Sequence, residues 1–159
     1  RKALPDITVR LEPLAAQAQA ASQRMLQLAD DDIAAFEAFL TARGMPRATD
    51  SERQAREQSV DCALRRAIDL PLAAAQEASA ALQLCSETSA STPPALVADL
   101  GVAAALLASA VRGFLLCAQS NVRQLAPGAA SYRERLATET KRHDPVLRQA
   151  EALLESLQP

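Results

Sequence analysis

The sequence predicts an all-α fold: a helical bundle around a long central apolar helix, assembled as a dimer. Three observations carry this. Only 4 Gly punctuate 159 residues, and β-branched residues are sparse. Hydrophobic residues make up 49% of the chain but aromatics only 3%, with no Trp. The core must therefore be built from Ala, Leu and Val, with helices in close contact. From Leu100 to Val122 the chain carries a single charge, Arg112, and no Pro. A helix that is apolar on nearly every side is expected to be buried. The size suits one domain, 1–159, with one sizeable core.

Taken in order, Ile7 to Thr41 reads as a long helix. Leu11, Leu14, Ala18, Ala21, Met25 and Leu28 step by three and four along one face. Pro13 marks either a kink or the true start. Continuing that face brings Asp32, then Phe36 and Phe39, so Asp32 is expected to face the core. It reads either as an interhelical hydrogen-bonding group or as a carboxylate in a polar pocket. Gly44 and Pro46 end this helix. Thr49-Asp50-Ser51-Glu52 is a capping box that opens the next one. Its apolar face carries Val60, Leu64, Ala67 and Ile68. Pro71 predicts a kink or a break, after which Leu72, Ala75, Ala78, Leu82 and Cys85 resume helical spacing.

Pro93-Pro94 signals the start of the central helix. At about 100° per residue, Asp99 shares a face with Val102, Ala103, Leu106, Ala110, Gly113, Cys117 and Asn121. Most of these are small, so a second helix can approach closely. Arg112, Gln119 and Arg123 fall on the opposite side. Asp99 and Asn121 lie about 33 Å apart along an ideal helix. Only an antiparallel copy from a second subunit brings one near the other. Asp99 itself reads either as a helix-end cap or as a functional carboxylate, because an unpaired charge beside apolar surface is costly. Ala126-Pro127-Gly128 is a breaker. Ser131 to Arg142 reads as a polar helix, and Asp144-Pro145 as the start of a last helix ending near Leu157. His143, the single histidine, then falls in a surface turn.

Several function classes are disfavoured. A net charge of -2 and so few aromatics make no case for nucleic acid. The Leu100 to Val122 run is long enough for a bilayer, but Arg112 at its middle and its Ala content argue for a soluble helix rather than a membrane span. Cys62, Cys85 and Cys117 read as small buried hydrophobes in a reducing, cytoplasmic compartment. No phosphate loop, nucleophile elbow or zinc spacing is present, and one histidine cannot build a paired Glu-x-x-His metal site. Chemistry is left to Asp32, Asp99 and nearby basic residues.

Several stretches together resemble the cyclodeaminase family, which comprises the cyclodeaminase domain of formiminotransferase-cyclodeaminase and the stand-alone methenyltetrahydrofolate cyclohydrolases. The resemblance rests on the acidic-aromatic segment from Leu28 to Phe36 and on Arg56 standing fifteen residues before Pro71 in Leu70-Pro71-Leu72. It continues with Ala98-Asp99-Leu100-Gly101-Val102-Ala103-Ala104 and with Asn121-Val122. It runs from the start of the chain to about Leu125. Ala98 departs from the family's usual Ser. The family's N-terminal helix, with its Pro-Gly-Gly-Gly-Ser motif, precedes the stretch that Arg1-Lys2 resemble, so the chain is expected to lack an N-terminal helix of the natural protein.

The resemblance implies an all-α homodimer acting on a tetrahydrofolate derivative, with no tightly bound cofactor. The implied reaction is hydrolysis of 5,10-methenyltetrahydrofolate to 10-formyltetrahydrofolate. The alternatives are cyclodeamination of formimidoyltetrahydrofolate with release of ammonia, or a non-enzymatic helical interaction module. Both reactions pass through a cationic amidine-like carbon, which a carboxylate attracts and serves as proton shuttle. Asp99 is the implied catalytic group and Asp32 its support. Arg56, Asn121 and Lys2 are the implied substrate-binding residues, the basic ones pairing with the glutamate carboxylates of folate.

Overall fold

The computed structural model describes residues 4–125 and 129–156. Arg1, Lys2, the Ala126-Pro127-Gly128 breaker and the helix end expected near Leu157 lie outside the described residues. Within them are four α-helices, α1 (Leu4–Gly44), α2 (Asp50–Ser89), α3 (Val97–Val122) and α4 (Ala130–Ser156), a 3-10 turn at Pro94–Leu96, and no strand. The expected all-α class holds.

Neighbouring helices run antiparallel. The ion pairs Arg24–Glu77 at 2.7 Å and Asp31–Arg66 at 4.0 Å fix α1 against α2. Thr49 caps α2 as expected: its hydroxyl accepts from the Glu52 N–H at 3.2 Å, and the Glu52 carboxylate accepts from the Thr49 N–H at 2.8 Å. That backbone bond holds the Glu52 carboxyl below its ordinary value.

The central helix is α2 rather than α3. α1, α3 and α4 all pack on α2, whereas α1 and α3 do not pack on one another. Ile68, Leu72, Ala75, Ala78 and Leu82 are fully buried along it, following the spacing legible in the sequence. α3 buries only one stripe, running from Gly101 through Ala104, Ala108, Val111, Leu115 and Ala118 to Val122. Its other side is exposed: Val102 is 60% and Leu106 67% accessible. Within one chain α3 is not buried on all sides, because among the described residues its neighbours are α2, α4 and the short 3-10 turn before it.

Pro71 neither breaks nor ends α2, which runs through it. A proline has no N–H, so the carbonyl four residues earlier loses its helical partner. That carbonyl belongs to Ala67. The Asn121 side chain, at the far end of α3, donates its amide N–H to it at 2.7 Å. The α2–α3 contact thus repairs the α2 backbone.

The junction at Pro145 is also different from the expectation. α4 is one helix through Pro145. Its core stripe, Leu136, His143, Leu147 and Ala150, continues across the proline. Burial of that stripe outweighs one missing hydrogen bond. The three cysteines divide: Cys85 is buried, where desolvation pushes its thiol up, but Cys62 and Cys117 are exposed.

The Pro71–Asn121 arrangement makes a checkable statement. Asn121→Ala leaves the Ala67 carbonyl unpaired beside the core and should cost about 1–3 kcal/mol. Pro71→Ala restores an N–H for that carbonyl. In a Pro71→Ala background, Asn121→Ala should cost less than half as much. A double-mutant cycle by urea denaturation measures the coupling; additive effects would separate the two residues.

Candidate active site

The residues singled out in the sequence occupy two ends of the bundle. Asp99 lies exposed in the first turn of α3. There the helix N-terminus favours an anion. Asn121 is half-buried at the other end of the same helix, beside Ala67 of α2. One subunit therefore does not bring these two together.

Arg56 belongs to the Asn121 end. Its Nε–H donates to the Arg43 carbonyl at 3.2 Å, satisfying one of the orphan carbonyls where α1 stops. Its terminal guanidinium nitrogens form no ion pair among the described residues. Asp32 is exposed on α1 and does not face the core. The buried stripe of α1 passes Ala21, Ala35 and Ala42, with Met25 and Phe39 packed beside it. Between these it turns Asp31, not Asp32, toward α2, where Asp31 meets Arg66. Phe36 follows Asp32 outward and is 59% exposed. The error is a single residue of register: a step of four after Leu28 selects Asp32, and a step of three selects Asp31. Lys2 lies outside the described residues.

The face of α3 that begins at Asp99 is the outward one. Val102, Leu106 and Cys117 stand exposed on it, around half-buried Ala110 and Gly113. A Cβ placed on Gly113 would meet nothing within 4 Å. The surface is apolar and small-featured, with the Asp99 carboxylate at one end, and suits the approach of a helix.

Sequence reasoning missed His143. It is 3% exposed, facing a polar cleft of about 360 Å³ between α2 and α4 that Gln76, Ser79 and Gln83 also line. Its Nε2 has no hydrogen-bond partner. Glu139 lies 3.8 Å away and accepts a bond from Gln76 at 3.1 Å. Burial pushes the imidazole below its ordinary value; Arg142 acts in the same direction, while Glu139 and Asp144 oppose. The signal was in the spacing of Leu136, His143, Leu147 and Ala150, masked by reading Pro145 as a helix start. Among the described residues, no three His, Cys, Asp or Glu side chains gather into a metal-binding group.

Against this geometry, the sequence model of the family described as formiminotransferase-cyclodeaminase matches residues 1–142. The chain belongs to the formiminotransferase-cyclodeaminase family. It is 31% identical over 121 residues to the formimidoyltransferase-cyclodeaminase of Sus scrofa, an alignment covering 75% of this chain and 22% of that protein. It is 26% identical over 125 residues to a methenyltetrahydrofolate cyclohydrolase of Methylorubrum extorquens, covering 79% of this chain and 60% of that one. The match thus spans less than two thirds of either relative. Within the formiminotransferase-cyclodeaminase family match fall Asp32, Arg56, Asp99 and Asn121, while His143 lies just beyond it.

The state of His143 can be read from stability. A neutral imidazole in the fold and an ordinary one, near 6.5, in the unfolded chain mean that the unfolded chain binds the proton first. Stability contributed by the neutral form is present above that value and is lost as pH falls below it. His143→Gln should lose less stability between about pH 7 and about pH 5 than the parent does. Urea melts at both pH values measure this, and equal losses would place a proton on His143 in the fold.

Proposed function

We propose that this chain is the helical catalytic unit of a cytoplasmic methenyltetrahydrofolate cyclohydrolase. It acts as a homodimer on its folate substrate without a tightly bound cofactor. The observation that carries the reading is Asp99, an exposed carboxylate at a helix start on an apolar face that no element among the described residues covers. Family membership supports folate one-carbon chemistry.

The shape of that face supports a dimer. Two copies of α3 packed antiparallel about Ala110 would cover Leu106 and Gly113 near the two-fold axis. The Asp99 of each would then stand near the Asn121 end of the other, closing two equivalent sites. Arg56 lies about 16 Å along α2 from Ala67, within the same end, and would pair with the substrate's glutamate carboxylate. Asp32, on α1 beside Asp31, would add negative potential.

In this reading the substrate's bridging carbon is cationic, and Asp99 stabilises it by charge. Water adds to that carbon while the carboxylate takes its proton. The bond from carbon to N5 then breaks: N5 takes the proton held by the carboxylate, and the hydroxyl loses its remaining proton to solvent as the carbonyl forms, leaving the formyl group on N10. In the second reading N10 attacks the protonated formimidoyl carbon carried on N5, the N10 proton passes by way of the carboxylate to the amino group so formed, and the bond from carbon to that nitrogen breaks, releasing ammonia and leaving the cyclic methenyl cation. The porcine formimidoyltransferase-cyclodeaminase match favours it.

Asp99→Asn keeps the shape and removes the charge. Turnover of methenyltetrahydrofolate, followed by its absorbance, should fall by roughly 10²-fold or more. Folding should change little, since Asn also suits a helix start. Ammonia release from formimidoyltetrahydrofolate, assayed in parallel, separates the two reactions; parental rates on both substrates would remove Asp99 from the chemistry.

Assembly is tested independently. Leu106→Arg and Gly113→Leu occupy open space in one chain and would collide in the dimer. Both should fold and sediment as monomers where the parent sediments as a dimer. A monomeric parent at micromolar concentration would overturn the two-fold arrangement.

A further inference from the structure

The flank of α3 that faces α4 carries a second concavity. It is an open trough of about 1000 Å³, at the upper end of the range for small-molecule sites. Leu115, Val122, Leu136 and Leu147 form its floor. Its rim is basic: Arg112, Arg123, Arg133 and Lys141 surround it, with Asp144 as the single carboxylate among the lining residues.

This grouping is unexpected in a chain of net charge -2. Arg112 is committed, since it pairs with Glu151. Arg123, Arg133 and Lys141 form no ion pair among the described residues, although most other arginines near the core helices do. All three are exposed to solvent, which screens their mutual repulsion, but together they set a positive potential beside an apolar floor. An anion whose body covers that floor would meet both, and the two guanidinium groups suit a carboxylate or sulfonate.

We infer that the trough between α3 and α4 binds a small amphipathic anion, with an apolar body on the leucine floor and an acidic group against Arg123, Arg133 and Lys141. The site lies on a different side of α3 from the Asp99 face, so it does not rest on the proposed reaction. Two sources share the chemistry, an acyl carboxylate and an aromatic carboxylate such as the aminobenzoyl-glutamate portion of folate.

The test is calorimetric titration of the whole chain with decanoate, decyltrimethylammonium, decanol and aminobenzoyl-glutamate. Decanoate or aminobenzoyl-glutamate should bind once per chain, more weakly as salt rises, and the tighter of the two identifies the source. Arg133→Glu combined with Lys141→Glu should weaken that anion at least tenfold. Ala137→Trp, which fills the trough from an exposed position, should abolish binding without touching the core. Asp99→Asn should bind the anion as the parent does, which separates this site from the proposed catalytic one. Binding of the decyl cation or decanol as tightly as the anions would overturn the inference. So would anion affinity unchanged by both sets of substitutions, or no anion binding at millimolar concentration.

Discussion

The bundle depends on α2 staying a single continuous support through Pro71, and one hydrogen bond repairs its backbone there. Pro71 removes a donor from the middle of a 40-residue helix. The Asn121 amide, from the end of another helix, supplies one to the stranded Ala67 carbonyl. Two features that are fifty residues apart in the chain therefore form one device. Asn121 was legible in the sequence as a polar exception on an apolar helix, and Pro71 as a breaker. Neither spacing nor propensity could show that each answers the other.

The sequence was most informative where one period decided the outcome. Leu72, Ala75, Ala78, Leu82 and Cys85 repeat without interruption, and all five are buried. The capping box at Thr49 is a local chemical pattern and was equally readable. It was least informative where a helix is apolar throughout. In α3 the hydrophobic period is flat, so nothing in it distinguishes the stripe against α2 from the face left bare. Whether that bare face is core or contact surface depends on how many neighbours the chain provides. In α1 the ambiguity was one residue wide, and burial of Ala21, Ala35 and Ala42 settled it, turning Asp31 toward Arg66 of α2.

The candidate site was partly legible for a similar reason. Helical geometry alone put Asp99 and Asn121 on one face and too far apart to act together within one chain, and the structure keeps them so. Arg56 was chosen as a ligand for carboxylates. Its Nε is spent on the Arg43 carbonyl, which fixes the guanidinium in place at the α1–α2 turn. His143 was lost because a proline was read as a boundary where tertiary burial carries the helix through.

The order of the helices has a consequence for how the chain reaches this state. α1 with α2, α2 with α3 and α3 with α4 are each joined by a short connection and packed side by side. Most of the core can therefore form as successive hairpins, without closing long loops first. The parallel α2–α4 contact is the exception, anchored by the Gln76–Glu139 hydrogen bond and the Arg135–Asp69 ion pair. It joins helices separated by the whole of α3, so of the four helix contacts it closes the longest loop, and a chain with α1 to α3 packed already holds the bond from Asn121 to the Ala67 carbonyl.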